Sequence, residues 1–167
     1  ILVKGGINTF RALRMVLPPA WQNIHMMDPE IKSFHEYNSM HMEAWDGPAG
    51  IVMSDGRWAI CLLDRNGLRP ARYQIDSEGY VTIASEIGVF PQNESNFITK
   101  GRIGAGGIFA IDTETGELID QSIIDNKLKE GKPYRTWLRS KAKYLESSLY
   151  NYAGSGIKLI SSVDLNK

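Results

Sequence analysis

With a single cysteine, Cys61, among 167 residues, the chain cannot build an internal disulfide framework. Neither charge is in excess. Its 19 lysines and arginines match 19 aspartates and glutamates, so no net field draws it to nucleic acid or to an anionic membrane. No apolar run approaches the ~20 residues that span a bilayer. The opening Ile-Leu-Val-Lys lacks a methionine, and no basic, apolar and small-residue leader follows it. Internal repeats, low-complexity tracts and a dividing linker are missing too. These absences point to a cytoplasmic protein of one domain, with a small-molecule or protein-protein role, and the start reads as that of a piece cut from something longer. The triplet Asn93-Glu94-Ser95 then has no glycosylation meaning.

The order of what is present begins with helices. Phe10, Leu13 and Leu17 recur at helical spacing after a cap at Asn8 or Thr9, and Pro18-Pro19 stops the run. Asp28-Pro29 is a cap followed by proline at the first helical position, which predicts a second helix through about Asn38 with Ile31, Phe34 and Asn38 inward. From Trp45 the period changes. Ala49 to Met53 and Trp58 to Leu63 are nearly unbroken apolar runs around the turn 54–57, and so short a loop makes the pair an antiparallel hairpin. Continuous apolar strands imply cover on both faces.

Ala71 to Ile75 and Tyr80 to Ala84 predict a second hairpin across the turn 76–79, and Ile108 to Asp112 with Leu118-Ile119 a third across 113–116. Helical stretches follow near Ile123 to Glu130 and Tyr134 to Leu149, and residues 150–167 form an unassigned tail. Helices, hairpins, then helices imply an α+β fold with helices on one face of the sheet. A second sheet on the other face would make a four-layer αββα sandwich, half of it missing from this chain.

Several residue types invite a chemical reading and are better explained by structure. Cys61 sits inside the apolar run 58–63, where a thiolate is desolvated and inert. His25, His35 and His41 have no metal-ligand spacing. Gly101, Gly104, Gly106 and Gly107 lack the Gly-Lys-Ser/Thr end and following helix of a phosphate loop, so they read as a loop entering the strand at Ile108. Met26, Met27, Met40 and Met42 read as core filler.

Three polar signatures punctuate the strands: Trp45-Asp46-Gly47-Pro48, Asp64-Arg65-Asn66-Gly67-Leu68-Arg69-Pro70, and Ala84-Ser85-Glu86. Asn66-Gly67 suits a positive φ, and Asp64, Arg65, Arg69 and Arg72 are placed to form ion pairs that fix a loop at a strand end. This is either a salt-bridged corner or a pocket rim.

At these residues the sequence resembles the glutamate synthase large-subunit family. Pro18 to Asn23, Met27 to Glu30, Trp45 to Pro48, Leu63 to Tyr73, Ala84 to Glu86, Lys100-Gly101-Arg102 and Pro133-Tyr134 to Trp137-Leu138 carry the resemblance, over roughly residues 1 to 146. Ala44 departs from it, standing where the family usually has proline. The resemblance implies that residues 1–149 are the C-terminal portion of a type 2 glutamine amidotransferase domain, an N-terminal-nucleophile hydrolase fold. In such a domain an N-terminal cysteine attacks the glutamine amide, with its own α-amine (pKa about 8) as base. Cys61 has no free amine, and the family's catalytic segments precede the matched region, so no catalytic residue is assigned here. The resemblance further implies FMN, an iron-sulfur cluster and NADPH bound outside this chain. It also implies the remainder of the large subunit and a small subunit as partners, with ammonia passed on to reductive amination of 2-oxoglutarate. The alternative is a non-catalytic scaffold or interdomain contact module.

A sandwich cut in half leaves a bare sheet face. About six large side chains exposed at ~1.5–3 kcal/mol each approach the whole stability of a domain, so the isolated chain is expected to be marginal or prone to aggregate.

Overall fold

The structure, a computed structural model, describes residues 5–89 and 96–143. Helix α1 (Thr9–Val16) begins where the Asn8 side chain accepts hydrogen bonds from the N–H groups of Phe10 and Arg11, which makes Asn8 the cap rather than Thr9. Helix α2 (Pro29–Ser39) is capped by Asp28, with Pro29 in its first turn, and buries Ile31, Ser33, Phe34, His35 and Asn38. Among the described residues seven strands follow in chain order: β1 (Gly50–Ser54), β2 (Trp58–Leu63), β3 (Ala71–Asp76), β4 (Val81–Ala84), β5 (Phe97–Ile103), β6 (Ile108–Asp112) and β7 (Leu118–Ile119). Helices α3 (Gln121–Glu130) and α4 (Tyr134–Lys141) come last among the described residues.

The strands form two sheets. One has the order β1-β2-β6-β7, the other β4-β3-β5, and every pairing is antiparallel. Strand β2 shows why its sequence is apolar throughout. Ile60 and Leu62 face the helices, in a core with Phe10, Leu13, Phe34, Ile108, Ile124 and Tyr134. Cys61 and Leu63 face the other way, in a second core with Ala71 and Ile103, where the Tyr73 and Phe109 rings stack at 4.7 Å between the two sheets. The layers are therefore helices, four-stranded sheet and three-stranded sheet. The α+β class and the helices on one face agree with the sequence reading.

Four expectations change. First, residues 97–103 are a strand and not a loop; Gly101 has a physical reason to be there, because the Tyr73 ring lies directly over it and a Cβ would collide with that ring. Only Phe97, Gly101 and Ile103 are covered along this strand, too weak an alternation to announce period two. Second, a covering sheet belongs to this chain, so the face of the first sheet away from the helices is not left bare as a whole. Strand β1, expected to be covered on both faces, is covered on one, and Val52 is 70% exposed; Ile98, on the outer face of the second sheet, is exposed to the same extent. Third, helix α4 stops at Lys141, since Ala142 is extended (φ −69, ψ 134); residues 144–149 and the tail 150–167 lie outside the described residues. Fourth, the methionines are not all filler. Met26 is 95% exposed and Met40 is exposed as well, while Met27 packs on the helix-side core.

Ion pairs tie the helices to each other. Lys129 meets Asp28 at 2.7 Å and Arg135 meets Glu30 at 3.0 Å; both are exposed enough to contribute only about 0–1 kcal/mol each.

Candidate functional site

The loops at the end of β2 form a corner around Asp64. Its carboxylate is buried and takes no ion pair among the described residues. It accepts instead from the backbone N–H groups of Ala49 at 3.1 Å and Asn66 at 3.0 Å, with a longer contact to Leu68 at 3.5 Å. Burial pushes this carboxyl up, but the donors at Ala49, Asn66, Leu68 and Arg69 outweigh burial and hold it below its ordinary value. The Asp64 carbonyl oxygen accepts from Gly67 at 2.9 Å and Gly106 at 2.8 Å. One residue thereby fastens three segments: the entry to β1, the loop 64–70 and the turn 104–107.

Two glycines allow that closeness. Gly67 (φ 61) would bring a Cβ to 2.8 Å from Ala105 Cα, and Gly106 (φ 63) would bring one to 2.8 Å from Pro19 Cα. Side chains strain at such φ even in open space. The N–H groups of Gly106 and Gly107 are already bonded to Asp64 and Gly104, so neither is left to cradle a phosphate.

The sequence candidates are only partly brought together. Trp45, Asp46, Asp64, Arg65 and Gly67 meet at the corner, with the Trp45 N–H donating to Val16 O at 2.8 Å and Arg65 paired to Asp46 at 2.6 Å in an exposed bridge. Gly47 takes φ 131 to turn the chain. Pro48, Arg69 and Pro70 line a different hollow, between the two sheets beside Val52 and Cys61. Glu86 lies elsewhere again, with Arg72, Lys100 and Arg102 on the outer face of the second sheet. The expected ion-pair corner is thus corrected: among the described residues Arg65 alone of its three arginines pairs, with Asp46, and backbone donors do what Arg69 and Arg72 were expected to do. Asn66 is exposed and contributes its backbone N–H, not a side-chain contact.

Cys61 is 1% exposed, and burial pushes its thiol up to about 11, which makes it a poor nucleophile at neutral pH. His25 and His41 are at the surface, and no cluster of three or more His, Cys, Asp or Glu among the described residues could hold a metal ion.

Sequence reasoning missed two residues beside the corner. Arg14 and His35 are 1% and 3% exposed and line a cavity of about 400 Å³ with Trp21, Trp45 and Arg65. The Arg14 Nη1 donates to Gly106 O at 2.7 Å and Nη2 is ion-paired to Asp125 at 3.9 Å, while Nε, Nη2 and both ring nitrogens of His35 have no hydrogen-bond partner among the described residues. Burial lowers Arg14 to about 10, so it stays charged at neutral pH. Burial, then the Arg14 charge, pull His35 down to about 3, so it is neutral there. A signal was available: Arg14 and His35 each fill the i+4 place of a buried stripe, 10/13/14/17 and 31/34/35/38.

Comparison with known proteins gives the family. Residues 1–137 match the class-II glutamine amidotransferases. Among curated relatives, a chloroplastic ferredoxin-dependent glutamate synthase of Oryza sativa subsp. japonica is 37% identical over 149 residues, 87% of this chain and 9% of the relative. The NADPH glutamate synthase large chain of Bacillus subtilis is 36% identical over 136 residues, 81% of this chain and 9% of the relative. The NADH glutamate synthase of Saccharomyces cerevisiae is 36% identical over 138 residues, 83% of this chain and 6% of the relative. The chain spans less than a tenth of the length of these three relatives.

Proposed function

Because the chain belongs to the class-II glutamine amidotransferases, we propose that it forms the later part of the glutaminase domain of a glutamate synthase. In that role glutamine is the substrate, and the ammonia released feeds the reductive amination of 2-oxoglutarate to glutamate. The observation that carries the reading is the family match over residues 1–137, on a chain whose relatives are glutamate synthases.

The two stacked antiparallel sheets suit an N-terminal-nucleophile hydrolase, in which a further helical layer completes an αββα sandwich. Within it this chain supplies framework. Its one cysteine is buried, carries no α-amine and has a raised thiol pKa, so the nucleophile comes from another part of the polypeptide, and none of the residues 45–48, 64–70 or 86 is catalytic. The Asp64 corner holds the sheet ends, and the open β1 edge, with Val52 uncovered, is where further chain would add.

FMN, the iron-sulfur cluster and the electron donor belong to other domains of such an enzyme. The relatives use ferredoxin, NADH and NADPH by name at nearly equal identity, so the expected lean toward NADPH has no support in this chain. The remainder of a large subunit is its first partner, with a small subunit in forms that have one. A cytoplasmic location is one of several that fit, since relatives include chloroplastic enzymes; among the described residues no helix is long and apolar enough to cross a membrane.

A chimera tests the reading. Residues 1–137 replace the matching segment of the Bacillus subtilis large chain, and glutamine hydrolysis is measured. Retained hydrolysis is the expected result; a folded chimera that binds its cofactors yet leaves glutamine intact contradicts it.

A further inference from the structure

The outer face of the three-stranded sheet gathers charge of one sign. Its register sets Arg72 directly opposite Arg102 and Gln74 opposite Lys100, so three exposed cations occupy adjoining positions of β3 and β5. None of them has an ion pair among the described residues. Like charges set opposite each other in a strand pair destabilise it. The chain as a whole is neutral, with 19 charges of each sign, so this is a local concentration and not a basic composition.

The same face is partly apolar. A hollow of about 290 Å³ opens beside the cations, lined also by Ala84 and Ile87, and Glu86 is the single carboxylate among its described lining residues. Ile87 is 68% exposed, and Ile98, on the same side of β5 as Lys100 and Arg102, is as open. A solvated face carries mixed signs. Exposed apolar side chains rimmed by charge mark a protein contact, and a rim of cations selects carboxylates. Chain length says where these come from. The chain amounts to 9% of the Oryza sativa and Bacillus subtilis relatives, and a segment tethered in the same polypeptide meets the face at an effective concentration that a free partner seldom reaches.

We infer that an acidic stretch of the polypeptide outside residues 1–167 lies over this face, its carboxylates set against Arg72, Lys100 and Arg102 and its apolar side chains against Ile87 and Ile98. The inference rests on the glutaminase reading, which supplies the longer polypeptide.

The test compares the 167-residue chain with the chimera that carries residues 1–137 in the Bacillus subtilis large chain. Mass spectrometry follows the acetylation rate of Lys100 and the amide crosslinks that a carbodiimide forms between its Nζ and carboxylates in contact. Acetylation about tenfold slower or more in the chimera is expected, as for an amine covered and paired with a carboxylate, together with a crosslink to an Asp or Glu outside residues 1–137. Arg72→Gln with Arg102→Gln removes the repelling pair, so the melting temperature of the 167-residue chain should hold or rise, whereas in the chimera the protection of Lys100 should be lost. Equal Lys100 rates in chain and chimera overturn the inference. So do protection that survives the double substitution and crosslinks confined to residues 1–137 of the same or a second copy. Lys100 is read apart from glutamine hydrolysis: a chimera that hydrolyses glutamine with Lys100 still open sinks this inference and leaves the glutaminase reading standing.

Discussion

Arg14 Nη1 donates to the carbonyl oxygen of Gly106 over 2.7 Å, across 92 positions of sequence. The same Gly106 donates its N–H to Asp64 O at 2.8 Å, and the Asp64 carboxylate receives the N–H groups of Ala49 and Asn66. A side chain on the first helix is in this way connected through two backbone steps to the loop that follows β2.

Substituting Arg14 should reveal polar and packing losses together. Arg14→Met leaves Gly106 O without its donor and Asp125 without its ion-pair partner, so it is expected to cost about 3 kcal/mol. Arg14→Ala leaves a void and should cost about 2 kcal/mol more than Arg14→Met. Urea unfolding of both variants checks the order.

Asp64→Ala removes the acceptor for the Ala49 and Asn66 N–H groups and should destabilise by about 2–4 kcal/mol. Amide hydrogen exchange localises the effect: protection at Ala49 is lost first, before that of the β2–β6 ladder.

Gly67→Ala and Gly106→Ala place a Cβ at positive φ and against backbone at 2.8 Å. Each should cost about 2 kcal/mol or more, whereas Gly56→Ala or Gly116→Ala, strained but in open space, should cost about 1 kcal/mol. Thermal melting of the four variants separates the two contributions.

These residues also show what could be read in advance. The caps at Asn8 and Asp28, the three hairpins and the doubly covered β2 follow from local rules that the final structure obeys. Strand β5 stayed hidden because Lys100 and Arg102 point outward and Gly101 yields its space to Tyr73, a partner known only from the register Tyr73↔Gly101. The corner was legible as a loop but not in its bonding. Ion pairs suggest themselves from charges near in sequence, and nothing in the string reveals that Asp64 satisfies backbone donors. Arg14 and His35 lay on the apolar stripes, yet their burial depends on helices packing over the turn 104–107.

His35 predicts a pH dependence. Its pKa is lowered from 6.5 to about 3 in the folded chain, so the unfolded chain binds a proton that the folded chain does not. Stability is full above pH 6.5 and falls as pH drops toward about 3, by up to about 1.4 kcal/mol per pH unit. Asp64 and Asp112, lowered below ordinary carboxylates, add their loss only below about pH 4. Melting temperature against pH should therefore bend near 6.5 in the unaltered chain, and His35→Phe should remove that bend while keeping the one at lower pH.

The most direct test of the framework reading is ammonia release from glutamine by the 167-residue chain alone. The account predicts no release above the uncatalysed background, in the chain as it stands and in Cys61→Ser alike. Release by the unaltered chain that disappears in Cys61→Ser would contradict it, since it would make the buried thiol the nucleophile.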